Sequence, residues 1–346
     1  METLHINPKN SGYYFPAEWE EHRATWLSFP LNDESWPGMM NEVYNVFFEF
    51  IRIISLSEKV AINVHNQNLG TFVMETAEKY DIDLSMLEIY NHPTNDCWCR
   101  DHGPAFLKNS NNEKLILNWK FNAWGGKYPC NLDNEIPVRI SNALKIPRID
   151  MDLVLEGGSL DFNGHGSILA TKSCLLNPNR NPGFSQLQIE TTLLTYYGSD
   201  QILWLQGGIA GDDTDGHVDN ITRFINKNTV ITMIKENKTD INYKVLKKNR
   251  GILSKQRLSD HNQLNIIEVP LPDPVIYQNE RLPASYANFY ITNNHVIVPI
   301  FQSKNDDKAL EIIQGCFPER RVAGILSTVL IHGLGSFHCL SQQEPA

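Results

Sequence analysis

One order of local signals returns four times along this chain: two β-prone runs joined as a hairpin, a helix-prone run, then a third β-prone run. The clearest copy begins with the hairpin "SLDFNGHGSILATKSCLL", whose turn is Asn163-Gly164, passes through the helical "SQLQIETTLLTYYG" and ends in the strand "QILWLQGG". The next copy is "GHVDNITRFINKNTVITMI", "DINYKVLKKNRGIL" and "NQLNIIEVPLP"; another is "YANFYITNNHVIVPIF", "KNDDKALEIIQGCF" and "RRVAGILSTVLI". An earlier one contains "KLILNWKFN", "DNEIPVRISNALKI" and "MDLVLEGG". Successive helices start roughly 50–65 residues apart, a period typical of circular or stacked arrays. The pattern repeats, while the residues do not.

A fifth copy is expected to be divided between the two ends of the chain. The tail "SFHCLS" would pair with "ATWLSFP", followed by the helix "PGMMNEVYNVFFEFIRIISLS" with Ser35 as N-cap, Pro37 near its first turn, and Val43, Phe47, Ile51 and Ile54 on one face. Chain ends ordinarily fray. Closure of this kind would bury the C-terminal strand and give the glycine-spaced run "HGLGSFHCLSQQEPA" a reason to be ordered.

The 346 residues, 41% hydrophobic and 20% charged, are ample for a large core, and no Pro/Ser/Gly-rich linker interrupts them, so one domain over 1–346 is expected. Thirty Lys+Arg against forty Asp+Glu give a net charge of −10, which argues against nucleic acid as a partner and suits a cationic ligand. The start shows no basic stretch leading into an apolar one, and no apolar run is long enough for a bilayer, so no secretion signal and no membrane partner are expected. Six cysteines in such a chain read as reduced thiols, which points to a cytoplasmic protein.

Chemistry concentrates in a few stretches. "GDDTDGHVDN" sets Asp212, Asp213, Asp215, His217 and Asp219 within eight positions; as an extended strand it would turn His217 and Asp219 to one face. It lacks the calcium-loop pattern, and an imidazole beside a carboxylate suits acid/base work. "NDCWCRDHGPAF" gathers Trp98, Asp101 and two cysteines, but C-x-C without a second half-site matches neither structural zinc nor a redox pair, so no metal is expected. The glycines of "EGG" (156–158) and "QGG" (206–208) suit sharp turns. "FNAWGGKYPC" adds Trp124, which matters if it shares a mouth with Trp98, since aromatic faces hold cations.

Cys339 alone reads as a small apolar residue of a last strand. If it acts as a nucleophile, His338 as its strand neighbour would point to the opposite face, leaving His217 as the base brought in by the fold. Several carboxylates around one thiol would repel its thiolate unless the substrate is a cation. A guanidinium is planar, permanently charged and pairs bidentately with carboxylates.

The stretches "WCRDHGP", "EGG", "LLNPNRNP", "DTDGHVDN" and "GSFHCLSQQEP" together resemble the agmatine deiminases, grouped with the bacterial peptidylarginine deiminases in the guanidine-modifying (pentein) superfamily, in order from about Tyr14 to Pro345. The resemblance implies an α/β fold, a five-bladed α/β propeller of ββαβ units with pseudo-fivefold arrangement. It implies Cys339 as nucleophile, His217 as general acid/base, Asp101 and Asp219 gripping the guanidinium, and Asp213 meeting the far amine of agmatine. Trp98 and Trp124 would wall the channel and Glu156 would buttress the site. No metal or organic cofactor is implied, the product would be N-carbamoylputrescine in polyamine metabolism, and a homo-oligomer is a family-level expectation. Where the family more often has a third glycine, this chain has Leu334. Competing readings are a deiminase for free or peptidyl arginine, an amidinotransferase, and a non-catalytic polyamine binder. Arg100, Arg180, Arg223 and Arg281 are the residues that could pair with an arginine carboxylate.

Overall fold

In each of the four internal copies the hairpin pairs antiparallel and the helix carries the chain back to a parallel third strand, as a crossover requires. Leu160–Phe162 and Ser167–Thr171 form one such hairpin, and the helix Gln186–Tyr196 leads to Gln201–Leu205, parallel to the second strand. The same ββαβ order is built from Ala105–Lys108, Lys114–Lys120, Ile136–Leu144 and Arg148–Val154, from Thr222–Asn226, Thr229–Ile234, Tyr243–Leu253 and Asn265–Pro270, and from Tyr290–Ile291, His295–Ile300, Asp306–Cys316 and Arg321–Leu326. The architecture is therefore α/β. The computed structural model describes residue 4 and residues 6–346; residues 1–3 and 5, part of the start that was expected to lack a secretion signal, lie outside them.

The divided unit exists, with a register different from the one expected. Ser341–Pro345 pairs antiparallel with His22–Ser28, so Thr25 faces Gln343 and Trp26 faces Gln342. "SFHCLS" is not itself a strand: Phe337–Leu340 forms a single helical turn and only Ser341 joins the ladder. The tail is anchored by charge. Glu344 is buried and accepts from Arg23 Nε at 2.6 Å and Trp26 Nε1 at 2.9 Å, while Gln343 accepts from Arg100 at 2.7 Å. Burial of a carboxylate demands such partners, and here they tie the chain's end to its beginning.

The first helix runs Met40–Ile54, and its foreseen face, Val43, Phe47, Ile51 and Ile54, is fully buried. Ser35 does not cap it: Met39 takes that place without a side-chain cap, Pro37 lies ahead of the helix, and Ser35 donates instead to Asp96 Oδ2 at 3.3 Å. An additional helix, Gln67–Lys79, and strand, Leu87–Asn91, extend this unit's sheet at its edge. Among the described residues no helix is long and apolar enough to cross a membrane.

One feature common to the units positions the site. A short helical turn precedes each unit's first strand: Cys99–His102, Gly157–Ser159, Val218–Asn220, Tyr286–Asn288 and Phe337–Leu340. The first touches the second, the second the third, and so on until the fifth touches the first. Five turns in cyclic contact bring residues far apart in sequence to one place.

Candidate active site

Each of these turns delivers one polar side chain or two to a common buried centre. Asp101 comes from the first, Glu156 from the residue before the second, His217 and Asp219 from the start of the third, Asn288 from the fourth and Cys339 from the fifth. His217 and Asp219 do not alternate along an extended strand, as the sequence pattern suggested; His217 is extended and Asp219 sits in the 3-10 turn that follows. They nevertheless converge: a Cβ added at Gly158 would lie 2.7 Å from His217 Nδ1, 2.8 Å from Asp101 Oδ1 and 2.9 Å from Asp219 Oδ2. Gly158 is therefore needed for the close approach, beyond the tight turn expected of it.

Every member is fixed from a second direction. Asp101 accepts from Trp124 Nε1 and from the Gly158 N–H, both at 2.9 Å. Asp219 Oδ2 is 2.7 Å from His338 Nδ1, and His338 Nε2 is 3.0 Å from Glu18, which also pairs with Arg100 and Arg223. Glu156 accepts from Arg180 Nε at 2.6 Å. Asn288 donates to Cys339 Sγ at 3.0 Å and accepts from the Cys339 N–H at 3.3 Å, and Sγ lies 3.7 Å from Asp219 Oδ2. His217 is the exception. Nδ1 is 3.7 Å from Asp101 and Nε2 3.8 Å from Glu156, beyond hydrogen-bond length, and both nitrogens are without a hydrogen-bond partner.

The electrostatics follow from burial against charge. Burial, then the carboxylates of Asp219 and Asp101, push the Cys339 thiol well above its ordinary range. Burial disfavours an imidazolium at His217, but the Asp101 carboxylate, with Cys174 and Glu156, outweighs it and raises its pKa well above the usual histidine value. Burial also opposes charge at Asp219, yet the hydrogen bond and charge of His338 hold its carboxyl below the ordinary range. Glu156 is held low against burial by His217 and Arg180. Asp101 is raised, first by burial and then by its neighbouring carboxylates. The centre holds a surplus of negative charge facing a thiol, a favourable setting for a planar cation.

A cavity of about 190 Å³ ends at this centre, with Asp101 and Cys339 at its base and Trp98 and Trp124 in its walls. The two indoles do share one mouth. Trp124 reaches Asp101 from a left-handed backbone, φ 57°, an unusual cost for an aromatic residue that its hydrogen bond offsets. Gly333 and Gly335 lie so close to the Trp36 and Trp98 rings that a Cβ on either would clash. Leu334 between them has φ 69°, the left-handed region where glycine is at ease.

Glu34, Asp96 and Asp213 line the outer part, with His332. Of the three aspartates that precede His217, only Asp213 lines the cavity: Asp212 accepts from the Thr214 and His217 backbone and Asp215 pairs with Arg180 at 2.6 Å. Asp213 is itself engaged by Lys127 at 2.9 Å and the Tyr128 hydroxyl at 3.0 Å. None of the four arginines lines the cavity. Arg100 pairs with Glu18, Arg180 with Glu156, Arg223 with Asp161, and Arg281 with Asp240.

Cys97 and Cys99 are buried and free. The one group of described residues whose ligand atoms lie close enough for a metal is elsewhere, at Glu156, Cys174 and His217. Sequence reasoning missed Asn288 and Cys174 and set His338 aside. Asn288 stands in a stretch that reads as plain strand, Cys174 immediately precedes "LLNPNRNP", and strand alternation points His338 away from the sulfur. It makes no contact with the sulfur but grips Asp219 instead.

An α/β framework whose cysteine, histidine and carboxylates surround a place for a planar cation defines a protein of the guanidine-modifying class. The chain belongs to the Porphyromonas-type peptidyl-arginine deiminase family, whose profile matches residues 14–345. It is 35% identical over 346 residues to a Legionella pneumophila protein provisionally named agmatine deiminase, covering 99% of this chain and 98% of that one. Among solved structures, the agmatine deiminase of Enterococcus faecalis superposes with a TM-score of 0.91 at 28% identity, over 100% of this chain and 99% of that one. An agmatine deiminase of C. jejuni gives 0.81 at 31%, over 99% and 98%. An amidinotransferase from Microseira wollei shares the fold alone, with a TM-score of 0.51 and 12% identity over 95% of each chain.

Proposed function

We propose that this protein is an agmatine deiminase, hydrolysing agmatine to N-carbamoylputrescine and ammonia. The observation that carries this reading is a cavity with the buried Cys339 thiol and Asp101 at its base, backed by the buried carboxylates of Asp219 and Glu156, whose outer part bears carboxylates and is lined by no arginine among the described residues. The guanidinium sits between Asp101 and Asp219, and its charge favours loss of the Cys339 proton to solvent, giving the thiolate that the free site resists; the sulfur regains a proton after product release. The sulfur attacks the guanidinium carbon; the C–N bond breaks as His217 gives its proton to the departing ammonia, leaving an amidino-cysteine. His217, now neutral and kept in place by Asp101 and Glu156, takes a proton from water, whose oxygen attacks the same carbon. The C–S bond breaks and the ureido product leaves.

Asp213 receives the far ammonium in exchange for Lys127, and Trp98 and Trp124 enclose the tail. On this reading the five turns are the hub of a five-bladed propeller with pseudo-fivefold symmetry, the whole of 1–346 acts as one cytoplasmic domain, and the reaction serves polyamine metabolism without metal or cofactor. Lys127 is the one feature that favours free arginine, since it could receive a carboxylate. The direct test is mass spectrometry of protein quenched during turnover of agmatine: an amidino adduct on the Cys339 peptide is expected, and turnover with no adduct on any cysteine contradicts the covalent route.

A further inference from the structure

Behind His217, on the side away from Asp101, three donors of different chemistry meet. Glu156 Oε2 is 3.8 Å from His217 Nε2 and 3.8 Å from Cys174 Sγ, and the three ligand atoms lie within 4.8 Å of one another. Tetrahedral zinc with ordinary Zn–N, Zn–O and Zn–S bonds separates its ligand atoms by about 3.4–3.6 Å, so inward shifts of a few tenths of an ångström on two edges, and more on the third, would complete the set. His217 is fully buried, and Nε2 has no hydrogen-bond partner, which leaves a lone pair for a ligand once the ring is neutral. The deaminating chemistry described above uses Cys339 and leaves Cys174 idle.

We propose that Glu156, Cys174 and His217 form a site for a thiophilic divalent cation, Zn²⁺ above all, whose occupation inhibits the enzyme reversibly. The metal replaces the proton of the Cys174 thiol and the Nε2 proton of the His217 imidazolium, both released to solvent, and the resulting thiolate with the Glu156 carboxylate cancels its two charges. Arg180, on the other oxygen of Glu156, stays balanced by Asp215 at 2.6 Å. A small ligand such as water fills the fourth position. The metal holds the imidazole by Nε2 and withdraws Glu156 from it, so the ring can no longer give and take the proton that turnover needs. The hard cations Mg²⁺ and Ca²⁺ prefer all-oxygen sets and are excluded by the thiolate.

Metal binding stands apart from the activity assigned above, whereas the inhibition rests on it, and the two readouts separate these. Cys339→Ala protein, which cannot offer the nucleophile's sulfur, is titrated with Co²⁺ without oxygen. A sulfur-to-cobalt charge-transfer band saturating at one equivalent is expected. The added change Cys174→Ser removes the band, and the added change Glu156→Gln weakens cobalt binding at least tenfold; the latter decides the matter if the serine variant does not fold. In the unmodified enzyme Zn²⁺ lowers turnover at least tenfold and EDTA restores it. No thiolate band in Cys339→Ala protein, or a band that survives Cys174→Ser, overturns the site. A normal band with turnover untouched by Zn²⁺ overturns the inhibition.

Discussion

The two ends of the cavity are built by opposite rules. At the inner end Asp101, Glu156, His217, Asp219 and Cys339 are all buried, each comes from or beside a turn of a different unit or shares one with a single neighbour, and the carboxylates are held by buried partners: Trp124 in the cavity wall, and Arg180 and His338 behind it. At the outer end Asp213 is about a third exposed, its partner Lys127 similarly so, and Tyr128 half exposed. Charges in the first setting interact strongly and are costly to leave unmatched; in the second they are screened by water and rearrange cheaply. Under the proposed function, the inner end determines that a guanidinium reacts, and the outer end grades which guanidine is chosen.

The largest effect belongs to the inner end. Cys339→Ala should lower kcat by about 10⁴-fold or more, while agmatine still binds, because the carboxylates remain. Calorimetric titration beside an ammonia assay checks both halves, and near-normal turnover breaks the assignment. Next, Asp219→Asn should cost about 10²–10³-fold in kcat/KM: it removes a charge facing the guanidinium and leaves His338 against a neutral amide. The pH behaviour of the thiol sharpens the same point. Its pKa is raised, so below that pKa the free enzyme holds the thiol, and alkylation of Cys339 by iodoacetamide should be slow at neutral pH and accelerate as pH rises. Rapid, pH-independent alkylation near neutrality would mean that a thiolate already stands in the empty site.

A smaller effect is expected at the outer end. Asp213→Asn should raise KM for agmatine by about tenfold with kcat little changed, and narrow the gap to arginine, as loss of one partly exposed charge pair implies. An equal fall in kcat would place Asp213 among the reacting groups and undo the division between the two ends. The smallest change concerns Leu334. Replacing it by glycine relieves a left-handed backbone but loosens the unfolded chain and removes packing, so the net shift in stability should stay within about 1 kcal/mol by thermal or denaturant melting.

Periodicity made the repeated ββαβ units legible, since each needs its own hairpin turn and apolar helix face; Asn163-Gly164 and the face from Val43 to Ile54 show this directly. The site was legible where polar residues cluster in one stretch, as around His217 and Asp101. It was not legible where one residue from a plain-looking strand is brought in by the cyclic contact of turns, which is how Asn288 reaches Cys339. Alternation rules misplaced His338 because its stretch is a helical turn, and a capping preference misplaced Ser35 because Asp96, far along the chain, accepts its hydroxyl. Local rules cannot anticipate a partner that only the assembled fold supplies.

The central claim is that the outer end selects a guanidine with a cationic tail and no carboxylate, and it is tested by ammonia release from agmatine, free arginine and a blocked arginine peptide under one set of conditions. A carboxylate placed among Glu34, Asp96 and Asp213 meets three like charges, partly screened by water, against the single cation Lys127, and a blocked peptide brings no ammonium for Asp213, so kcat/KM for agmatine should exceed that for either competitor by about tenfold or more. Turnover of arginine or of the peptide equal to or better than that of agmatine would contradict the account.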